Sequence, residues 1–136
     1  VFWLYNNKLT SLPAEIGQLT ALEELSLNSN QLTSVPTEIG LLTSLRRLGL
    51  QANQLTSVPA EFGRLTSLTW LGLHSNQLTS VPAEIGQLTS LVSLDLSGNQ
   101  LTSVPAAMRE LRAAGCRVFL DDGVTYDIRS YMRAHG

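Results

Sequence analysis

The segment that decides the fold is LEELSLNSNQLTSVPTEIGLLTS, residues 22–44. It returns as LRRLGLQANQLTSVPAEFGRLTS (45–67), LTWLGLHSNQLTSVPAEIGQLTS (68–90) and LVSLDLSGNQLTSVPAAMRELRA (91–113), and residues 1–21 begin inside an earlier copy. A fixed period within the range of about 20–50 residues predicts a solenoid, in which each unit stacks on the one before. Two residue types mark the constant 23-residue step: Asn7, Asn30, Asn53, Asn76 and Asn99, and Pro13, Pro36, Pro59, Pro82 and Pro105.

Each fixed position in the unit has a physical task. Leu25 and Leu27 alternate with polar residues, which predicts a short strand, and stacked copies predict a parallel sheet with strands about 4.8 Å apart. The other repeated apolar residues fill the inside of a coil, and neighbouring coils must cover that face. Asn30 follows the strand, where a buried amide needs hydrogen-bond partners because an unpaired one costs roughly 1–3 kcal/mol.

The second half of the unit predicts one short α or 3-10 turn. Pro36 suits the first position of such a turn, and Glu38 lies near its exposed backbone N–H groups. Gly40 suits a left-handed exit from the turn. We therefore interpret the repeated glutamates as turn caps and not as metal or cation ligands.

The frame L-x-x-L-x-L-x-x-N-x-L-x-x-V-P-x-x-I-G-x-L-x-x resembles the leucine-rich repeat family in its 23-residue, proline-containing form, over about residues 1–112. The resemblance implies an α/β fold: a right-handed solenoid with a curved parallel β-sheet on its concave face and short 3-10 or α turns on its convex face. It also implies that the asparagines point inward and bond to the main chain of adjacent coils. Its members bind other proteins as scaffolds or adaptors, so a non-enzymatic protein-interaction module is the expected function.

We divide the chain into about five repeats over residues 1–105, the first one truncated, and a C-terminal helical cap over residues 106–136. In the cap, Met108 and Leu111 predict an amphipathic helix, and Val118 and Leu120 predict a last strand displaced by one residue from the repeat register. Asp121-Asp122-Gly123 predicts a turn. A short final helix is expected over the open coil, with Ile128, Tyr131 and Met132 on its apolar side. At the other end, we expect preceding repeats or another chain to contact the first coil.

Composition narrows the function further. The net charge is −2 and no basic stripe is present, which argues against nucleic-acid binding. No run approaches the roughly 20 apolar residues of a membrane span. The single cysteine, Cys116, and the lack of an Asn-x-Ser/Thr acceptor favour an intracellular location.

The variable residues concentrate at the outward strand positions, which form rows across the predicted concave sheet. Exposed Trp, Tyr and Arg are typical of binding hot spots. Arg47 and Trp70 should be neighbours at cation–π distance, beside Gly49 and Gly72. The glycines predict a shallow floor that admits a partner; the alternative is that Trp70 lies over them. We predict partner binding by Trp3, Tyr5, Glu24, Arg46, Arg47, Trp70, His74 and Asp95.

Other chemistry is not supported by the sequence, and we predict no enzyme activity, cofactor or metal. Ser97, His74 and Asp95 supply the residue types of a nucleophilic triad, but on a face open to water without evident oxyanion donors. His74 and His135 do not have metal-ligand spacing. Two rival functions stay open: a surface adhesin or carbohydrate receptor whose aromatic residues stack on sugar rings, and a purely structural spacer or consensus-like fragment of a larger protein.

Overall fold

A computed structural model of the chain describes residues 1–129 and Met132. Six short parallel strands form one sheet in the order β1-β2-β3-β4-β5-β7, and β6 pairs with β8 in a separate parallel ribbon. The first five strands of the large sheet pair at the 23-residue step, and β7 is displaced by one, so that Leu94 pairs with Val118. The solenoid and the displaced last strand are therefore confirmed. The strands are β1 (Phe2–Trp3), β2 (Glu24–Ser26), β3 (Arg47–Gly49), β4 (Trp70–Gly72), β5 (Ser93–Asp95), β6 (Ser103–Pro105), β7 (Arg117–Phe119) and β8 (Thr125–Asp127).

A 3-10 helix follows each of the first four prolines on the opposite side of the coil. These helices span Ala14–Gln18, Thr37–Leu41, Ala60–Arg64 and Ala83–Gln87. The predicted left-handed exit at Gly40 is wrong, because this residue lies inside its 3-10 helix. A Cβ atom at Gly40 would lie 2.8 Å from the carbonyl oxygen of Glu61 on the next coil. Close stacking of the coils therefore requires this glycine.

The glutamates lie in the first turn of each 3-10 helix, near the positive end of its backbone dipole. At Glu61, however, the carboxylate does not cap the helix through a hydrogen bond. Its Oε2 atom is buried without a hydrogen-bond partner among the described residues. The column of glutamates also packs sterically, since the Glu61 Cβ atom lies against Gly40 of the preceding coil.

One continuous apolar core runs through the coils from Ile16 to Val118. The strand leucines Leu25, Leu48 and Leu71 have no exposed surface, and Phe62 fills the place that isoleucine takes in the first, second and fourth copies. Burial of apolar surface stabilises the fold by roughly 25 cal/mol per Å². Each internal coil is covered by its two neighbours, which is why the stack and not the single unit is the stable structure.

The repeated asparagines form a ladder beside this core. Asn53 is 7% exposed, and its side chain accepts a hydrogen bond from the Leu32 backbone N–H at 3.0 Å. Its amide group donates to the carbonyl of Leu27 on the preceding coil at 3.1 Å and to that of Leu50 on its own coil at 3.0 Å. The equivalent bonds recur at Asn30, Asn76 and Asn99. The residue before each asparagine has a left-handed backbone, which turns the chain inward: Asn6, Ser29, Ala52, Ser75 and Gly98.

The last part of the chain closes the stack with different elements. Helix α1 (Ala107–Ala113) buries Met108 and Leu111, as predicted. The Arg112 guanidinium donates to the carbonyl of Val118 and, at 2.7 Å, to the hydroxyl of Tyr126, so it joins α1 to the edge strand and to β8. The division at residue 105 stays a prediction, because β7 of the cap continues the repeat sheet.

The predicted turn at Asp121 also seals the last coil. In earlier coils the residue before the ladder asparagine donates its N–H to a carbonyl of the next coil, as Ser75 does to Ser97 at 3.0 Å. The N–H of Gly98 instead donates to the Asp121 carboxylate at 2.9 Å. Ile128 and Met132 are exposed, and Tyr131 of the predicted final helix lies outside the described residues.

Candidate functional site: the concave face

The outward side chains of the large sheet form the rows that the repeat predicts. One row runs through Glu24, Arg47, Trp70 and Ser93 on adjacent strands. The next runs through Trp3, Ser26, Gly49, Gly72 and Asp95. We call this surface the concave face. Because β1 to β5 pair at the 23-residue step, the repeat spacing fixes which side chains are neighbours across these strands.

The sequence analysis missed two residues of this face. β7 adds Arg117 beside Ser93 in the first row and Phe119 beside Asp95 in the second row. Both are exposed, while Val118 between them is buried. The alternation of Arg117, Val118, Phe119 and Leu120 contained the signal, but the one-residue displacement hides these two positions from a strict 23-residue count.

Glu24, Arg47 and Trp70 form a connected set at the centre of the first row. The Arg47 guanidinium carbon lies 4.9 Å from the centre of the Trp70 ring, so the predicted cation–π contact is confirmed. Arg47 Nε lies 3.7 Å from Glu24 Oε1, and about half of the Arg47 side chain remains exposed. The set holds an aromatic ring and a charged group in a defined position while leaving the charged group accessible.

The expected open floor beside this set is wrong. A Cβ atom at Gly72 would lie 2.4 Å from the Trp70 Cη2 atom and 2.9 Å from Gln51 Oε1. At Gly49 it would lie 3.1 Å from Gln51 Oε1 and 3.5 Å from the Trp70 ring. The Trp70 ring and the Gln51 amide therefore occupy the space over both glycines. The two glycines leave room for the half-buried Trp70 ring beside the sheet, and its binding role stays a prediction.

His74, Asp95 and Ser97 lie together, but in an order unsuited to nucleophilic catalysis. The Ser97 hydroxyl donates to Asp95 Oδ1 at 2.6 Å, and the Ser97 N–H donates to the same oxygen at 3.0 Å. His74 Nδ1 lies 3.5 Å from Asp95 Oδ2 without a hydrogen bond. In a nucleophilic triad the histidine accepts the serine proton, whereas here the aspartate lies between them. The arrangement fixes the Asp95 side chain against the strand exit.

Trp3 and Tyr5 form a separate aromatic spot on the first coil. Their side chains are 59% and 52% exposed. With Glu24, Ser26 and Asn28 they line an open depression of about 360 Å³. Three strand spacings, about 14 Å, separate this spot from Trp70.

Arg46 lies beside Arg47 at the start of β3 and is exposed. Its backbone carbonyl accepts a hydrogen bond from Thr69 Oγ1 at 3.0 Å, but its guanidinium makes no ion pair with any described side chain. Val92, in line with Arg46 and Thr69 two strands further on, is 60% exposed. The structure thus places Arg46 near the Arg47–Trp70 pair, with Trp3 and Tyr5 apart, and the binding role of all eight predicted residues stays a prediction.

Neither a metal site nor a membrane-spanning helix is found in the part of the chain that the structure describes, residues 1–129 and Met132. No group of three or more His, Cys, Asp or Glu side chains in it is arranged to hold a metal ion. His135 lies outside the described residues. Within the same part of the chain, every helix is too short or too polar to cross a membrane.

The leucine-rich repeat family model matches residues 3–55, 43–101 and 66–113, and the chain belongs to this family. Among solved structures, it is similar to a leucine-rich repeat protein of Leptospira interrogans (34% identity, TM-score 0.53, covering 91% of this chain and 43% of that one). It is also similar to the ectodomain of the Arabidopsis thaliana receptor kinase SOBIR1 (27% identity, TM-score 0.77, covering 91% of this chain and 71% of that one). A third similar structure is the ectodomain of the Arabidopsis receptor kinase HAESA in complex with an N-terminally extended IDA peptide hormone (31% identity, TM-score 0.78, covering 92% of this chain and 22% of that one).

The chain therefore spans less than half of the Leptospira protein and about a fifth of the HAESA ectodomain. No curated protein matches its sequence. Leucine-rich repeat domains are generally protein-interaction modules.

Proposed function

We propose that this chain is a non-enzymatic scaffold or adaptor module that binds a partner protein through its concave face. The observation that carries the proposal is the contrast between the two kinds of position in the repeat. The positions that pack the core and ladder are nearly identical from copy to copy, whereas the concave positions vary from copy to copy, apart from the shared Gly49 and Gly72. Packing does not require Arg46, Arg47, Trp70 or Val92 on this surface.

The chemistry of this surface supports a protein ligand. Trp and Arg are enriched in binding hot spots, where a large ring buries much apolar area and a planar guanidinium offers several hydrogen-bond donors. The Arg47–Trp70 contact holds both groups before a partner arrives, which lowers the entropy cost of binding. Two of the similar structures, both of the Arabidopsis receptor kinase HAESA, are complexes with the peptide hormone IDA, which supports a peptide or protein as the class of ligand.

A capture experiment with two matched variants tests the proposal. We expect immobilised wild-type chain to retain a defined protein band from a cell extract, and the double variant Arg47→Ala/Trp70→Ala to lose it. The variant Arg64→Ala removes an exposed arginine at the end of a convex-face 3-10 helix and should retain the band. Equal capture by the double variant and the wild type would refute binding at this surface, and absence of any specific band would favour the structural spacer.

A carbohydrate ligand is the second candidate, and one observation favours it. The depression beside Trp3 and Tyr5 combines two exposed aromatic rings with the polar side chains of Glu24, Ser26 and Asn28. Rings of this kind can stack on sugars while the polar groups bond to hydroxyls. A glycan array on which Trp3→Ala abolishes a signal would support it.

The intracellular location also remains a prediction, which cell fractionation would test.

A further inference from the structure

The first row of the concave face carries an uneven distribution of charge. Arg46 and Arg47 lie at the start of β3, and Arg117 lies at the start of β7. Trp70 on β4 and Val92 before β5 lie between these two positive ends. We call these five residues the basic arc. The arc carries three positive charges, and Glu23 and Glu24 lie beside its first end.

Nearby acidic groups offset part of the charge of the arc, but two of its three guanidinium groups have no ion pair with a described side chain. Glu24 is paired with Arg47, and Glu23, just before β2, lies beside Arg46 without forming an ion pair within 4.0 Å. Asp95 lies in the second row, where Ser97 donates two hydrogen bonds to its carboxylate. Neither Arg46 nor Arg117 makes an ion pair with a described side chain.

The two positive ends of the arc have a defined separation. β3, β4, β5 and β7 are consecutive in the sheet, so three strand spacings of about 4.8 Å place β3 and β7 about 14 Å apart. An extended peptide advances about 3.4 Å per residue, and its side chains at i, i+2 and i+4 point to the same side. Residues i and i+4 are then about 14 Å apart, which equals the separation of the two positive ends.

From this match we propose that the basic arc binds an extended segment of the pattern acidic-x-apolar-x-acidic, laid across the strands. The first carboxylate contacts Arg46 and Arg47, and the second contacts Arg117. The apolar side chain between them rests on the Trp70 ring and Val92. This inference rests on the proposed function, since it names the chemistry of the partner for the same concave face.

Synthetic peptides test the pattern directly. A fluorescein-labelled peptide containing Asp-Ser-Leu-Ser-Asp should bind the full chain in an anisotropy titration. Three controls should bind at least about tenfold more weakly: Asn-Ser-Leu-Ser-Asn removes the charges, Asp-Ser-Ser-Ser-Asp removes the apolar contact, and Asp-Asp-Leu-Ser-Ser keeps the composition but changes the spacing. A rise in ionic strength should weaken the first peptide more than the uncharged one, because the contacts are exposed ion pairs.

Variants of the chain give a second, independent readout. Arg46→Gln and Arg117→Gln should each weaken the acidic peptide about two- to fivefold, the range expected for one exposed ion pair. Arg64→Gln on the convex face should leave the affinity unchanged, and equal unfolding midpoints will show that each variant is folded. Absence of saturable binding up to millimolar peptide, or equal affinity for the acidic and amide peptides, would overturn the proposal. If that result is found while Arg47→Ala/Trp70→Ala still abolishes protein capture, the proposed function stands and only the acidic pattern is wrong.

Discussion

The asparagine ladder gives the sharpest test of how the coils hold together, through the variant Asn53→Ala. Asn53 is buried, and its side chain bonds to the Leu32 N–H and to the carbonyls of Leu27 and Leu50. The two carbonyls do not become unpaired in the variant, because Asn30 also donates to Leu27 and Asn76 also donates to Leu50. Only the Leu32 N–H loses its partner in this set.

The cost of Asn53→Ala follows from this difference. One orphaned buried N–H costs about 1–3 kcal/mol, and the two lost bonds to shared carbonyls cost about 0.5–1.5 kcal/mol each. We therefore expect the free energy of unfolding to fall by about 3 kcal/mol. Urea unfolding followed by circular dichroism will measure it, with the midpoint and slope fitted together.

Asn7 provides a matched control in the same chain. It is exposed, and its amide donates to the carbonyls of Leu4 and Tyr5, the first of which also accepts a bond from Asn30. We expect Asn7→Ala to lower stability by less than about 1 kcal/mol, since exposed groups regain bonds to water. If Asn53→Ala and Asn7→Ala differ by less than about 1 kcal/mol, the ladder does not stabilise the stack as argued here.

Three further predictions concern the turn, the cysteine and the sheet edge. Ala52→Gly should raise the free energy of unfolding by about 1 kcal/mol, because Ala52 has a left-handed backbone with φ +57°. Gly98→Ala should lower the free energy of unfolding, since Gly98 has φ +67° and a new Cβ atom would lie 3.2 Å from the Ser75 backbone nitrogen. Thermal unfolding of the two variants will measure both changes. Burial raises the pKa of the Cys116 thiol, with an opposing effect of Arg112. The unfolded chain therefore releases this proton first, so stability should fall as pH rises above about 8.5, and urea midpoints of Cys116→Ala should lack this part of the decline. Arg112→Ala should lower the unfolding midpoint and increase concentration-dependent association by light scattering, because it uncovers the carbonyl of Val118 on the edge strand.

The repeat made the backbone arrangement predictable, because the same residues recur at one spacing and only one stacked structure buries them all. The rows of the concave face follow from that spacing, whereas the bonds of the ladder asparagines to adjacent coils were implied by the resemblance to the family. The role of Gly40 did not follow, since a turn exit and a close approach between coils both favour glycine. Its position inside the 3-10 helix excludes the turn exit, and the 2.8 Å that would separate an added Cβ atom from the Glu61 carbonyl oxygen shows the close approach.

Side-chain positions on the concave face were less predictable, since they depend on local competition and not on the period. The sequence put Trp70 beside two glycines, but the choice between an open floor and a covered one depended on the space left by Gln51. Likewise, the sequence predicted that Ser97 and His74 lie near Asp95, but it did not predict which of them bonds to the carboxylate. The Ser97 hydroxyl, and not His74, donates the short hydrogen bond. Arg117 was missed because the rows were followed only at the strict 23-residue step and were not continued onto the displaced last strand.

The central claim is that the non-repeating concave residues, and not the repeated convex ones, bind the partner. Amide chemical shifts of the ¹⁵N-labelled chain, recorded while the captured partner is added, test it most directly in a chain of 14.8 kDa. We predict the largest changes at Arg47, Trp70 and Ser93, with the 3-10 helices at Thr37–Leu41 and Ala60–Arg64 nearly unchanged. Large changes confined to those helices would contradict the account.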